Sequence, residues 1–241
     1  MARSEQHLFE RADRADRGAV ATRQRLVAGE PFCPEQYAGR VTKFQTEGSL
    51  VLYRGETAGV YPAKQEMQEV SRALITDGLR FWVFVDLLRS TQSHTYSLIC
   101  NTDRRAQLDG QTAVYPLMGE ELSYHVYSDR PVCQKQYQQQ VESVMTTQEQ
   151  DKKCRTEIQT LATCSSAPEK EQVFFECFTF SDDPVKVQHK GRSLFLECGG
   201  CSYEVKVGYC DSASNTTPIQ VLCQSKTKQE YSLVKKGYPS P

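Results

Sequence analysis

The chain has a single tryptophan, four histidines and four methionines, and it has no long apolar run. A membrane-spanning helix needs roughly 18 to 20 consecutive apolar residues. The longest runs here, at 81–85 and 173–175, stop far short of that, so no transmembrane segment is expected. Charge of one sign is equally scarce, because 29 Lys+Arg stand against 30 Asp+Glu for a formal net charge of -1. Without a global positive field, neither nucleic acid nor an anionic membrane is an expected partner. Residues 1–30 lack the apolar core of a secretory signal and carry Arg3, Arg11, Arg14, Arg17, Arg23 and Arg25 instead. Either a signal lies upstream of this sequence, or the protein is intracellular, or it leaves by an unconventional route.

Catalytic motifs are missing too. His7, His94, His125 and His189 sit in no metal or triad spacing, and there is no G-x-S-x-G, H-E-x-x-H or Walker-type loop. Glu120-Glu121 and Asp182-Asp183 are adjacent pairs, but neighbours on a strand point to opposite faces and share a proton poorly. No cofactor is expected, and an enzyme with a site assembled from distant residues is only a third hypothesis.

What the chain does have is cysteine: Cys33, Cys100, Cys133, Cys154, Cys164, Cys177, Cys198, Cys201, Cys210 and Cys223. Eight of the ten fall within 91 residues, a density typical of oxidised extracellular modules. All ten are therefore disulfide candidates. Asn215-Thr216-Thr217 is a glycosylation sequon that fits the same compartment. The expected location is extracellular or in a secretory lumen, with the cytoplasm as the alternative.

The expected fold class is α+β: a β-rich N-terminal region, a central amphipathic helix, and a small antiparallel C-terminal sheet stapled by disulfides. Leu8, Ala12, Ala15, Ala19 and Leu26 suggest a peripheral helix or arm over 1–30. Residues 31–130 form the β-rich region. Stretches 41–44 and 50–53 flank Thr46-Glu47-Gly48 as a hairpin. Pro62 and the spacing of Met67, Val70, Leu74 and Ile75 predict a short helix ending at Asp77-Gly78. Residues 79–88 read as a buried strand with Trp82 in the core, and 94–100, 112–117 and 121–127 as further strands.

Composition changes at Arg130-Pro131, which marks the expected boundary of a second region, 131–234. Tyr137, Val141, Val144, Met145, Ile158 and Leu161 fall near one helical stripe, predicting one long helix or two short ones. If 133–154 were one helix its ends would lie about 30 Å apart. Cys133 and Cys154 would then bond outward, to Cys177, Cys198, Cys201, Cys210 or Cys223. Stretches 173–180 and 193–198 read as a long hairpin, 203–209 as a half-buried strand by its strict alternation, 219–223 as a last strand, and 235–241 as a tail.

Cys198-Gly199-Gly200-Cys201 has three chemical readings. Redox exchange needs a cysteine at a helix N-terminus, yet a strand follows. A zinc site using Cys198, Cys201, Cys210 and Cys223, with Cys177 as a substitute, would satisfy a tetrahedral ion. Its second half-site lacks the short spacing, however, since Cys210 and Cys223 are 13 residues apart. A Gly-Gly turn between strands, each cysteine bonded to a different neighbour, is the third and favoured reading.

Phe32-Cys33-Pro34-Glu35-Gln36-Tyr37-Ala38-Gly39-Arg40-Val41 resembles the opening of ependymin-related secreted proteins. The resemblance covers about ten residues and implies a curved β-sheet fold that binds a lipid or another ligand. The expected helix near 63–76 and the cysteine-rich second half depart from that pattern, and it is not adopted.

Together these features lead first to a secreted or lumenal, disulfide-stabilised binding protein without catalytic activity, recognising a protein or small ligand through loops and strand edges. The alternatives are an intracellular adaptor with a zinc-stabilised C-terminal module and a secreted lipid- or small-ligand-binding protein.

Overall fold

The computed structural model describes residues 23–27, 30–31, 39–61, 63–116, 120–147, 150–180, 184–212, 215–225 and 230–233, the side chains at 23–31, 60, 141–156 and 225–233 excepted. Among these residues the fold is all β, with three antiparallel sheets, two single-turn 3₁₀ segments and no α-helix.

The largest sheet has eight strands. It contains β3 (Arg40–Glu47), β4 (Leu50–Glu56), β5 (Met67–Thr76), β6 (Phe81–His94), β8 (Gln107–Asp109), β9 (Thr112–Pro116), β10 (Glu121–Ser128) and β13 (Glu169–Phe180). Their order is β3-β4-β5-β6-β13-β10-β9-β8. A second sheet is ordered β11-β12-β7-β1-β2, from β1 (Arg23–Val27), β2 (Glu30–Pro31), β7 (Tyr96–Thr102), β11 (Val132–Thr147) and β12 (Gln150–Ser165). The third is a meander of β14 (Lys186–Lys190), β15 (Ser193–Cys198), β16 (Cys201–Val207), β17 (Ile219–Ser225) and β18 (Glu230–Leu233).

The eight-stranded sheet is the middle layer. Phe81, Val83, Val85 and Leu87 of β6 pack with Val173, Phe175 and Cys177 of β13 against Leu194, Leu196, Tyr203, Val205 and Val221 of the meander. On its other face Val70, Leu88, Phe174, Tyr124 and Val126 pack against Tyr96, Leu98, Cys100 and Leu161 of the second sheet. A strand buried on both faces reads as a continuous apolar run, and short runs of that kind are not separable from a helix by periodicity.

That ambiguity explains the first correction. Met67, Val70, Leu74 and Ile75 lie on β5, between β4 and β6, and not on a helix. The central helix is also absent: its residues form the β11–β12 hairpin, in register from Val132↔Ser165 to Thr147↔Gln150. Stretches 173–180 and 193–198 do not pair with each other, since β13 inserts between β6 and β10 while β15 joins β14 and β16. Residues 23–27 of the expected N-terminal helix or arm lie on β1, and 1–22 are outside the described residues. The helix that set this chain apart from the ependymin-like pattern is therefore a strand, while 32–38 of the resembling stretch are also outside the described residues. The boundary expected at Arg130-Pro131 falls on the link between β10 and β11, and β13 from beyond it completes the middle sheet.

Polar side chains clamp the meander to the middle sheet. Arg54 donates to the Thr217 carbonyl at 2.6 Å and to buried Glu69, whose other carboxylate oxygen accepts from the Thr217 hydroxyl at 2.7 Å. Elsewhere Arg80 donates to the Tyr203 hydroxyl at 3.2 Å, and Arg192 pairs with Asp129 at 3.3 Å and Glu171 at 2.8 Å.

Candidate ligand-binding face

Strand alternation builds the candidate site. While Phe81, Val83 and Val85 point into the meander-side core, Trp82 and Phe84 must point to the opposite face of the middle sheet. The register places Tyr53, Leu74, Phe84 and Glu176 in one row, with Phe44 opposite Tyr53 at its end. A second row holds Thr76, Trp82, Phe178 and Tyr124. The second sheet covers only part of this face. Trp82, Phe84, Leu74 and Phe180 are half-buried, Tyr53 is 39% exposed and Phe44 68% exposed. These six belong to neither core. Four strands at about 4.8 Å spacing make the first row about 14 Å long.

The rings are mutually braced. Trp82 meets Phe180 edge to face at 5.4 Å, Phe84 meets Phe178 at 6.1 Å, and Phe178 stacks on Tyr124 at 4.5 Å. Beside them on the same face runs a polar network. Arg72 donates to both oxygens of Asp86, directly opposite on β6, at 2.8 and 2.6 Å, and to Glu176 at 3.0 Å. The Tyr124 hydroxyl donates to the other Glu176 oxygen, and the Arg72 guanidinium lies 5.7 Å from the centre of the Phe84 ring. Burial works against the Arg72 charge, but Asp86 and Glu176 more than offset it and hold the guanidinium above its ordinary range. The surface thus offers flat apolar rings beside a buried, ion-paired network of one cation and two carboxylates. Its chemistry is stacking.

The cysteines are distributed over the layers. Cys100 lies in the core shared with the second sheet, whereas Cys177, Cys198 and Cys223 lie in the meander-side core with Cys201 at its margin. Cys133 and Cys164 are opposite each other on β11 and β12, and Cys164 Sγ accepts from the Ser97 hydroxyl at 3.2 Å. Cys154 lies on β12 with its side chain undescribed, and Cys33 is outside the described residues. No disulfide joins any two of the described cysteines. The disulfide-stapled sheet is therefore corrected: apolar layers, not crosslinks, hold the meander. With it goes the support that cysteine density lent to secretion and to glycosylation at Asn215. Asn215 is in a turn with φ of 49°, its side-chain oxygen accepting from Arg89 at 2.8 Å.

Of the zinc candidates, Cys198, Cys201 and Cys223 come to one end of the meander. Cys210 lies past the other end of β16, about 20 Å away along the strand. Among the described residues no group of three or more His, Cys, Asp or Glu side chains is placed to hold a metal ion. Gly199 and Gly200 have φ of 54° and 75°, the two-residue hairpin geometry that needs positive φ twice. Burial pushes the Cys177 thiol far up, with nearby Cys198 adding to it, and burial raises Cys223 as well.

His94 is buried with its Nε2 2.8 Å from the Gln65 carbonyl. His125 and His189 flank Tyr127 in a stack of near-parallel rings, centroids 6.4 and 5.1 Å apart. His7 is outside the described residues. The sequence left Arg72, Asp86, Glu176 and Tyr124 unmarked, since they are scattered over four strands. Trp82 was expected in the core. It lies instead on the half-open face, and only the alternation against Phe81 and Val83 signals this.

No family model matches the chain, and no curated protein matches it by sequence. Several solved structures share its fold. One of heparinase III aligns at 12% identity with a TM-score of 0.54, over 75% of this chain and 28% of that one. A lysine-methylated heparinase III aligns at 10% identity and 0.54, over 87% and 29%. A mutant heparan sulfate lyase from Pedobacter heparinus aligns at 11% identity and 0.56, over 76% and 30%. The chain spans less than a third of the length of these proteins, and at such identities the likeness is one of fold.

Proposed function

We propose that this chain is a binding protein without catalytic activity of its own, and that its ligand lies along the aromatic face of the middle sheet. The observation that carries this is the set of Phe44, Tyr53, Leu74, Trp82, Phe84 and Phe180, ordered by one register yet belonging to neither core. Large apolar side chains left outside a core and held in place by their neighbours are what a stacking surface requires. The buried network beside the rings supports the same role. Arg72, Asp86, Glu176 and Tyr124 are committed to one another, so they fix the strands that carry the rings. The fold is shared with proteins named as heparinase III and heparan sulfate lyase, which supports a saccharide among the ligands to be tried.

A binding screen against immobilised glycans, lipids and peptides tests the proposal. The wild-type chain is expected to retain at least one class, and Tyr53→Ala and Phe84→Ala to lose it while unfolding at nearly the same temperature. Retention that is indifferent to both substitutions would refute it.

A further inference from the structure

We infer that the occupant of the aromatic face is an extended, uncharged polysaccharide whose sugar rings stack on Phe44, Tyr53, Phe84 and Trp82. This rests on the face being the binding surface. Three observations select this chemistry over others.

The first is openness. The face is half-covered rather than enclosed, and Phe44 at the end of the row is 68% exposed. An acyl chain bound there would keep much of its surface in water and gain little from burial. A sugar ring is amphipathic: its C–H face covers an aromatic ring while its hydroxyl edge stays hydrated. The second is shape. The row from Phe44 to Phe84 crosses four strands, about 14 Å, which suits several linked rings better than one compact ligand.

The third is charge. A sulfated chain needs unengaged cations, since phosphate- and sulfate-like groups are held by Arg or Lys forks. On the face positions of β4, β5, β6, β13 and β10 the register places one cation, Arg72, and it is already shared by Asp86 and Glu176. Those carboxylates would repel a polyanion lying above them.

The test is affinity electrophoresis of the full chain through gels containing a soluble neutral glucan, a soluble neutral mannan or heparan sulfate, with micellar lysophosphatidylcholine as a fourth lane. Retardation by a neutral polysaccharide is expected, unchanged between low and high salt and weakened about tenfold in Tyr53→Ala or Phe44→Ala, the scale of one stacking contact. Retardation by heparan sulfate or by micelles alone, abolished by the same substitutions, would overturn the inference and leave the binding face standing. If no lane distinguishes the variants from wild type, the binding face and the inference fall together.

Discussion

Arg72 on β5 forms a two-bond fork with Asp86 directly opposite on β6, at 2.8 and 2.6 Å, and its guanidinium sits over the ring of Phe84. Asp86 is fully buried, and the same guanidinium reaches buried Glu176 on β13. One cation thus ties three adjacent strands together beside the aromatic rings.

Arg72→Met should cost about 3–5 kcal/mol, because removing one partner of a buried pair leaves the carboxylates uncompensated. Urea unfolding followed by circular dichroism measures it. A loss below about 1 kcal/mol would mean that the network is solvated and does not brace the face.

Gly199 and Gly48 both have positive φ, 54° and 58°, but only Gly199 is crowded. A Cβ there would lie 1.5 Å from Arg80 Nη1, whereas nothing stands within 4 Å at Gly48. Gly48→Ala should cost about 1–2 kcal/mol for the left-handed backbone alone. Gly199→Ala should cost about 1 kcal/mol more, since Arg80 must leave Tyr203. Equal thermal shifts for the two variants would contradict the placement of Arg80.

Burial holds His125 below the usual imidazole range, and it does the same to His189 against the opposing effects of the Gly191 backbone and Asp129. The unfolded chain takes up these protons near pH 6.5 while the folded one resists them. Stability from the ring stack is therefore complete above about pH 6.5 and is lost as pH falls toward the depressed folded values. Burial raises Asp129, so it acts in the opposite direction at lower pH and cancels between variants. A His125→Gln/His189→Phe double variant should show a flatter dependence of the urea midpoint between pH 7.5 and 5. An unchanged slope would exclude these histidines as its source.

The described cysteines should alkylate in denaturant without reductant, as intact mass will show. In the native protein exposed Cys133 should react readily and fully buried Cys177 only on unfolding. Protein that takes up label only after reduction would restore the crosslinked scaffold.

Much of the strand pattern is legible in the sequence, and its ambiguities are physical. Residues 203–207 alternate cleanly because β16 buries one face only, with Tyr203, Val205 and Val207 inside. Residues 67–76 do not, because β5 is covered on both faces at one end, and Met67, Val70, Leu74 and Ile75 then mimic a helical stripe. The glutamine-rich stretch misleads for another reason: Gln134, Gln136, Gln138 and Gln140 carry no apolar signal, so pairing with β12 decides their conformation. Nor does linear sequence hint that Arg72, Asp86 and Glu176 meet, since the contact exists only once β13 has inserted beside β6. Cysteine density misled most directly, because a buried thiol is also an ordinary small apolar side chain.

The most direct test of the aromatic face uses Trp82, the only tryptophan, as its own reporter. Acrylamide quenching of its emission should fall when a neutral polysaccharide saturates the protein, and Tyr53→Ala should raise the concentration needed. Quenching unchanged by every ligand class that the protein retains would contradict the assignment of this face as the binding surface.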